Sequence, residues 1–412
     1  MTPRRRFWHV AGAGTAFQAG SAAVDSATVM AALVFQLTGS AVAVGAVSTI
    51  LRLGWLLPHL FVGYLAGRGG SSMPFYVFGA YGRTAAIAGL AAVLWIGAAA
   101  GWSNAALGGL TLGLWVLYAF LSGIVGVPYN DIVARSVPSD RRSRMLAIRF
   151  FGGGLVALGV AALADRLVRG LDFPTSYAAI LGVAALLMLL SSIVFTAMGE
   201  PARSAAPKAA TGFMAYLREG FVVFRTDPVF RRFVFAQWCG GAALVAAPFF
   251  IIAAETLGLG LENVALLLGA QTAGALAANP LWGWWGDRRG KLSLMRGIAI
   301  TRLVPPLIVL ALLLVPVPPA AILPILLIVF FSLGALATGL TIAVIGMLMQ
   351  ISPDDRRPAY SGYFNALTAP AFVLPLAGGF AVAALGIWTV FAIALGAAIT
   401  QAAILGRADM KG

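Results

Sequence analysis

Charged side chains are rare inside the long apolar runs of this sequence, so the few that occur there are the first candidates for chemistry. Asp25 lies well inside the first run and Arg52 well inside the second. At about 1.5 Å per residue along a helix, the two side chains would reach nearly the same depth on neighbouring helices. An ionisable group in an apolar environment needs a partner, which predicts an Asp25–Arg52 ion pair.

Asp25 also belongs to a polar series with 3-4-3 spacing, which would share one face of a single helix: Gln18, Ser21, Asp25 and Thr28. A carboxylate that loses its arginine partner in a dry site gains affinity for a proton, so this face could couple proton movement to a conformational change. A permanently paired structural bridge is the alternative. His59 could relay protons, or could simply pack between helices.

Candidate substrate contacts are the polar or aromatic residues that interrupt the apolar runs. The first half contributes Trp55, Tyr118 and Ser122, and the second half contributes Gln237, Gln271, Asn279, Thr338, Thr341 and Asn365. Each of them could equally join transmembrane helices. Together they predict a binding region with few charges and some aromatic surface, which suits a lipophilic or weakly polar molecule.

The composition excludes a soluble globular protein, because 60% of the 412 residues are hydrophobic and only 10% are charged. A helix needs roughly 20 residues to cross a bilayer, so this supply matches about twelve spans. The net charge of +14 is spread over short connectors, so nucleic-acid binding is not expected. One cysteine and two histidines, without nucleotide-binding, hydrolase or metal-ligand motifs, predict neither an enzyme nor a bound cofactor or metal.

The pattern of apolar runs predicts an all-α membrane protein with twelve helices. We place the helices at about 9–36, 41–66, 74–100, 104–129, 145–166, 174–198, 231–254, 262–285, 292–315, 320–349, 358–382 and 384–405. The longest polar stretch divides them six plus six, which predicts an N-terminal bundle over 1–199, a cytoplasmic linker over 200–230 and a C-terminal bundle over 231–412. With both termini on one side, that side holds 23 of the 28 basic residues, so the positive-inside rule places it in the cytoplasm.

The two halves of the sequence repeat each other. Residues 137–142 (Val-Pro-Ser-Asp-Arg-Arg), after the fourth run, match residues 352–357 (Ser-Pro-Asp-Asp-Arg-Arg), after the tenth, at an offset of 215. Arg83 matches Arg302 at an offset of 219, and Gln18 matches Gln237 at the same offset. Repeated six-helix units with a substrate path between them are typical of transporters.

A loop pattern then indicates a family. Residues 283–291 (Gly-Trp-Trp-Gly-Asp-Arg-Arg-Gly-Lys) resemble the G-x-x-x-D-R-x-G-R/K signature of the major facilitator superfamily. Residues 63–70 resemble a second copy, with Gly67 where the family has aspartate. Residues 37–45 are similar to the first outer loop of the enterobactin-exporter and macrolide-efflux permeases. The fifth-span proline and fourth-span arginine of drug:proton antiporters are missing, which argues against their standard mechanism.

The resemblance implies a rocker-switch carrier, in which two six-helix bundles swing about a midplane site. It implies a cytoplasmic gate in which the carboxylate of the motif accepts hydrogen bonds that break when the bundles part. The residues of this gate are Gly283, Asp287, Arg288, Gly290 and Lys291. A turn at the membrane surface with outward-reaching arginines is the alternative. Since the resemblance places the third and ninth helices outside the cavity, we expect structural roles for Arg83 and Arg302, such as hydrogen bonds to helix ends.

These observations predict a monomeric secondary transporter of the bacterial inner membrane, with both termini in the cytoplasm. Its partners would be the lipid bilayer, protons and a small amphipathic compound, which it would export. Uptake of a small organic nutrient is one alternative. A membrane assembly factor or sensor that uses the same fold without transporting anything is another.

Overall fold

The computed structural model describes residues 1–66, 71–201, 213–260, 262–352 and 357–407. Within these ranges all regular secondary structure is helical, as predicted. The first half contains α1 (Pro3–Ala22), α2 (Val29–Thr38), α3 (Ala41–Ala66), α4 (Met73–Ala99), α5 (Asn104–Ser136), α6 (Ser139–Gly170) and α7 (Thr175–Thr196). The second half contains α8 (Phe213–Thr226), α9 (Pro228–Ala243), α10 (Phe249–Thr256), α11 (Glu262–Arg288), α12 (Lys291–Thr301), α13 (Val304–Leu314), α14 (Pro319–Ile351), α15 (Arg357–Thr368), α16 (Leu374–Leu385) and α17 (Trp388–Arg407).

Ten helical segments of the described chain are long and apolar enough to cross a membrane. The first two predicted spans differ from the rest, because their apolar helical segments, Val29–Thr38 and Ala41–Leu56, are shorter than the ten. The chain is therefore an integral membrane protein by length and hydropathy. The predicted count of twelve spans is not confirmed.

Four of the predicted spans are interrupted rather than continuous. The first, predicted over 9–36, is broken between α1 and α2, and its repeat mate, predicted over 231–254, is broken between α9 and α10 by a 3₁₀ turn. The ninth span is broken between α12 and α13, just before Pro305, and the eleventh by a 3₁₀ turn between α15 and α16. Near these breaks, side chains of Asp, Ser and Thr can bond to the backbone in place of helical hydrogen bonds, and Pro removes a backbone donor. The periodicity of apolar residues does not reveal such breaks.

Helix ends follow local side-chain chemistry. The Ser103 hydroxyl accepts a hydrogen bond from the N–H of Ala106 at the start of α5. The Asp227 carboxylate accepts two from the first turn of α9, where Pro228 occupies the first helical position. Gly39 ends α2 with a φ of 61°, a conformation that favours glycine.

The chain divides into two compact units. The first unit comprises Met1–Ala43, Ile50–Ala210 and Leu261–Gly269, and the second comprises Val44–Thr49, Thr211–Gly260 and Ala270–Gly412. The predicted boundaries at 199 and 231 stay a prediction, and residues 202–212 of the predicted linker lie outside the described residues.

The first unit is built around α4, which packs against α5 and α7, and around α1, which packs against α6 and α7. Its core includes the buried side chains of Phe7, Tyr76, Ile132 and Phe195. Helices approach closely where side chains are small: a Cβ on Gly54 of α3 would lie 2.6 Å from the Cβ of Ala119 on α5.

The second unit is organised by α17, which packs against α9, α12 and α13, and by α14, which packs against α12. Phe230, Phe233, Trp282 and Tyr363 lie in its core. The indole N–H of Trp282 donates to the carbonyl oxygen of Ala335 at 2.8 Å, which satisfies its polar edge inside the unit.

Candidate functional site

Asp25 lies in the break between α1 and α2, where its carboxylate shapes the chain. Its Oδ1 atom accepts hydrogen bonds from the N–H of Ala27 (3.0 Å), the N–H of Thr28 (2.9 Å) and the hydroxyl of Thr28 (2.8 Å). Its other oxygen, Oδ2, has no hydrogen-bond partner within the described part of the chain. The described contacts of the Asp25 carboxylate are those with its own turn, and the predicted ion pair with Arg52 is not among them.

The polar series predicted on one helical face is divided by the same break. Gln18 and Ser21 belong to α1, whereas Asp25 and Thr28 lie beyond its end. The prediction of one continuous polar face is therefore wrong. Gln18 lies where α1 and α6 cross closely, since a Cβ added to Gly153 of α6 would lie 2.5 Å from the Cβ of Gln18.

Three further candidates lie on α3. Arg52 is half-buried, and the side chain of Trp55 is 42% exposed. The carbonyl oxygen of Trp55 lies at a crossing with α5, because a Cβ on Gly123 would come within 2.5 Å of it. The side chain of His59 lies outside the described residues, so its relay role stays a prediction.

The predicted substrate contacts are spread over several helices. Tyr118 is buried on α5 and stacks on Trp115, with 4.9 Å between ring centres. In the second unit, Gln237 is buried on α9, Gln271 is half-buried on α11 and Asn365 is exposed on α15. The Gln237 amide donates to the sulfur of Met295 at 3.6 Å, and the Gln271 carbonyl oxygen is 1.7 Å from where a Cβ of Gly334 would lie. No described contact joins these residues, so a shared substrate site stays a prediction.

The predicted gate motif forms the end of α11 and the start of α12. α11 ends at Arg288, which is exposed, with its guanidinium carbon 5.9 Å from the ring centre of Trp284. Gly290 has a φ of 86°, so the turn needs a residue that tolerates left-handed backbone. Lys291 then begins α12, and a Cβ on Gly346 of α14 would lie 2.9 Å from its Cδ.

The remaining motif positions give less information about gating. Gly283 is half-buried in α11. The side chain of Asp287 lies outside the described residues, so the hydrogen bonds expected of its carboxylate stay a prediction.

The repeated arginines are both buried but differ in their partners. The Arg302 guanidinium, 7% exposed, donates to the carbonyl oxygen of Gly240 at 3.2 Å and to Oε1 of Gln401 at 2.8 Å. Gly240 is close to the end of α9, as the predicted hydrogen bond to a helix end requires. Arg83, 5% exposed, instead places its guanidinium carbon 4.0 Å from the ring centre of Phe17. Its Nε is buried without a hydrogen-bond partner among the described residues.

A second arginine of the first unit, Arg149 on α6, shares this environment. Its Nη1 atom donates to the Tyr129 hydroxyl at 2.9 Å, whereas its Nε is buried without a partner in the described structure. Its side chain crosses α1 at Gly14, where a Cβ would lie 2.7 Å from the Arg149 Cδ. Arg149 falls within the helix predicted over 145–166, but the sequence analysis did not single it out as a charged residue inside a span.

A cluster of polar side chains that the sequence analysis also missed joins the ends of three elements in the first unit. Arg135 of α5 donates to Asp131 and to Glu200, each at 2.5 Å, and the backbone N–H groups of Ser72 and Met73 donate to Glu200 at 3.0 Å. Burial alone would raise the pKa of Glu200. The bonds from the Ser71 hydroxyl, these N–H groups and Arg135 outweigh it and lower this pKa to about 2. The carboxylate thus stays charged and fixes the start of α4.

Comparisons with known proteins agree with this fold. The family model described as Major Facilitator Superfamily matches residues 240–408. No curated protein matches in sequence. Among solved structures, a mutant of the nucleoside transporter NupG is similar with a TM-score of 0.74 at 12% identity, and the match covers 98% of this chain and 99% of the other.

Two further structures show the same likeness. A D-xylose–proton symporter has a TM-score of 0.67 at 15% identity, with 96% of each chain covered. A bacterial homologue of the iron transporter ferroportin has a TM-score of 0.62 at 16% identity, with 98% of each chain covered. The second half of the chain thus matches the family model of the major facilitator superfamily, and nearly the whole chain shares the fold of these solved membrane transporters.

Proposed function

We propose that the protein is a secondary active transporter that works by rocker-switch alternating access and exports a small amphipathic compound in a proton-coupled cycle. The observation that carries this proposal is the position of Asp25 in the break of the first span. Interrupted transmembrane helices supply ion and substrate sites in transporters, because backbone groups at a break are free to bind.

The hydrogen bonds of Asp25 suit a proton carrier. Oδ1 holds the turn through Ala27 and Thr28, while Oδ2 has no partner among the described residues. A proton can therefore add at Oδ2 without first breaking the turn. Protonation removes the negative charge from Oδ1 and weakens its three hydrogen bonds, which links the proton to the geometry of the break.

The repeat mate of this break supports an asymmetric coupling. Between α9 and α10 the chain reads Leu244–Pro248, without an acidic residue. Coupling through a carboxylate would therefore belong to the first span alone. The D-xylose–proton symporter of similar fold supports proton coupling as a property that this architecture can carry.

The test uses the full chain and begins with a thermal-shift screen at acidic and alkaline pH, because a ligand stabilises the state that it binds. The screen covers lipophilic cations, siderophores, antibiotics, sugars, organic acids and lipids. A stabilising compound is then supplied to proteoliposomes that contain a pH-sensitive dye. We expect compound-dependent proton movement that is lost in Asp25→Asn, whose amide keeps the turn but does not titrate. Unchanged flux and pH dependence in this variant would contradict the coupling proposal.

The direction of transport follows from the same vesicles. Movement of the compound in the direction opposite to the protons supports export. Movement of the compound in the same direction as the protons supports uptake instead. A stabilising compound that moves in neither direction would favour the sensor or assembly-factor alternative.

A further inference from the structure

The short helix α8 packs beside the ends of two membrane spans in the second unit. A single residue separates it from the apolar span that contains α9. A Cβ on Gly220 of α8 would lie 2.5 Å from Cδ1 of Tyr363, the residue at which another apolar span begins. The ring centre of Phe224 is 5.7 Å from that of Phe235, seven residues after the start of α9. Because its 14 residues are too few to cross a bilayer, α8 belongs to the membrane boundary.

The corner between α8 and α9 is fixed by side chains. Nη1 of Arg231 on α9 donates to the carbonyl oxygen of Arg225 in the last turn of α8, at 2.9 Å. Asp227 accepts hydrogen bonds from the first turn of α9, and its Oδ2 atom accepts one from the Tyr360 hydroxyl of α15 at 3.1 Å. Three helices thus hold this corner, so α8 keeps one orientation relative to the spans.

The other face of α8 combines apolar and basic side chains. Positions i, i+3, i+4 and i+7 share one face of a helix, and here they are Arg218, Phe221, Val222 and Arg225. All four are exposed, Phe221 at 47% and Val222 at 51%. The guanidinium carbon of Arg225 lies 4.4 Å from the ring centre of Phe221. Arg232, exposed near the start of α9, adds a third cation beside the corner.

Apolar side chains beside guanidinium groups match the chemistry of a lipid surface. A helix that lies in the plane of the interface buries its apolar side chains among the acyl chains, while its basic side chains meet the headgroups. Guanidinium groups bind phosphate through paired N–H donors. An anionic phospholipid adds a net negative charge that a zwitterionic headgroup lacks, and this charge attracts every nearby arginine.

We propose that α8 is a binding site for anionic phospholipid at the membrane surface. Phe221 and Val222 insert among the acyl chains. Arg218, Arg225 and Arg232 bind the headgroup phosphate. Because α8 is held to α9 and α15, a lipid bound here stabilises the second unit. The site depends neither on the transported compound nor on proton coupling, so it goes beyond the proposed function.

The first experiment measures the depth of the exposed face. Cys239 is the only cysteine in the sequence, so Cys239→Ser provides a background for single nitroxide labels. Labels are placed at Phe221→Cys and Val222→Cys in the full chain, reconstituted in vesicles of phosphatidylglycerol and phosphatidylcholine. Ile399→Cys is the lipid reference, because Ile399 is 54% exposed within a membrane span. We expect all three labels to collide more with oxygen, which concentrates among acyl chains, than with a water-soluble nickel chelate.

Two results of this experiment would overturn the proposal. Labels on α8 that collide mainly with the nickel chelate would place the face in water. Labels that collide little with either reagent would show that protein, rather than lipid, covers it.

The second experiment tests the charge. The detergent-purified full chain is titrated with phosphatidylglycerol or with phosphatidylcholine of the same acyl chains, and thermal unfolding reports binding. We expect the double variant Arg218→Gln/Arg225→Gln to bind phosphatidylglycerol at least roughly tenfold more weakly, since each arginine near an anionic surface contributes about fivefold. The matched control, Arg166→Gln/Arg169→Gln, makes the same change of charge in the first unit and should bind as the wild type does. Scans in phosphatidylcholine confirm that both variants are folded.

Undiminished binding of phosphatidylglycerol to the α8 variant would contradict the site. An equal loss in the control variant would reduce the effect to net charge and would contradict it as well. Glycerol 1-phosphate, the water-soluble part of the headgroup, should not stabilise the chain. If it stabilises the chain as strongly as phosphatidylglycerol does, the arginines bind free phosphate and the membrane-surface proposal is wrong.

Discussion

Arg302 and Arg83 occupy matching places in the two halves of the chain, yet the halves treat them differently. In the second unit the guanidinium of Arg302 donates to Gly240 and Gln401. In the first unit the guanidinium of Arg83 lies against the ring of Phe17, and its Nε has no acceptor among the described residues. The second unit gives its arginine described hydrogen-bond acceptors, and the first unit places an aromatic ring against its arginine instead.

The difference shows that a repeated sequence position need not keep the same partners. A buried arginine with protein acceptors stabilises its own unit, because the acceptors compensate for lost hydration. Arg83 has an aromatic face in place of these acceptors, which favours its guanidinium through a cation–π contact. We therefore expect Arg302 to depend on hydrogen bonds for its place in the unit and Arg83 to depend on Phe17.

The largest effect is predicted for a substitution that removes the side-chain acceptor of Arg302 in the second unit. Gln401→Met leaves the Arg302 guanidinium with Gly240 alone and should lower the free energy of unfolding by about 3 kcal/mol, because a buried charge loses a hydrogen bond. Equilibrium unfolding in detergent measures this change. Gln401→Glu, which keeps an acceptor, is the matched control. A loss below about 0.5 kcal/mol, within the range of neutral surface changes, would show that Arg302 does not depend on Gln401.

The next prediction concerns Arg135, which differs from Arg83 of the same unit because it has two carboxylate partners, Asp131 and Glu200. The pKa of Glu200 is lowered from 4.5 to about 2, so its contribution to stability is complete above pH 4.5 and is lost as pH falls towards about 2. The full shift corresponds to about 3 kcal/mol, and solvent screening of this surface carboxylate reduces the contribution to about 2 kcal/mol or less. Glu200→Gln should remove the corresponding acid dependence of the unfolding free energy. Parallel pH profiles for the variant and the wild type would contradict the role of Glu200.

Much of the fold could be predicted from the sequence, but little of the site could. Apolar runs of the right length predicted the long helices, and the repeat of Arg83 and Arg302 predicted matching positions. The break at Asp25 escaped prediction because a single carboxylate, through Ala27 and Thr28, overrides an otherwise helical pattern. The partners of the arginines escaped because they depend on helix packing, which sequence spacing does not determine.

A third prediction converts the first unit towards the second. Met188 is thirteen residues after the first residue of α7, as Gln401 is thirteen residues after the first residue of α17. If this register also matches the two positions in space, Met188→Gln gives Arg83 an amide acceptor and should raise the free energy of unfolding by about 1 kcal/mol. Met188→Leu is the control, since it changes shape without adding an acceptor. Unfolding titrations compare the two variants. If Met188→Gln is no more stable than Met188→Leu, the matching of these positions is wrong.

The smallest effect concerns the break in the first span, which has an acidic residue where its repeat mate has none. Asp25→Ala removes the acceptor for Ala27 and Thr28 and should cost about 1 kcal/mol, as loss of a helix cap does. Asp25→Asn keeps an acceptor and should cost less than about 0.5 kcal/mol. Thermal unfolding of the two variants separates the turn from the charge. Equal losses would mean that the charge, rather than the hydrogen bonds, holds the break.

The most direct test of the proposed coupling is proton movement in proteoliposomes that contain the full chain, a pH-sensitive dye and a compound that stabilises the protein. We predict compound-dependent proton movement for the wild type and its loss in Asp25→Asn, because the amide keeps the turn but does not titrate. Unchanged flux and pH dependence in Asp25→Asn would contradict the assignment of Asp25 as the coupling group.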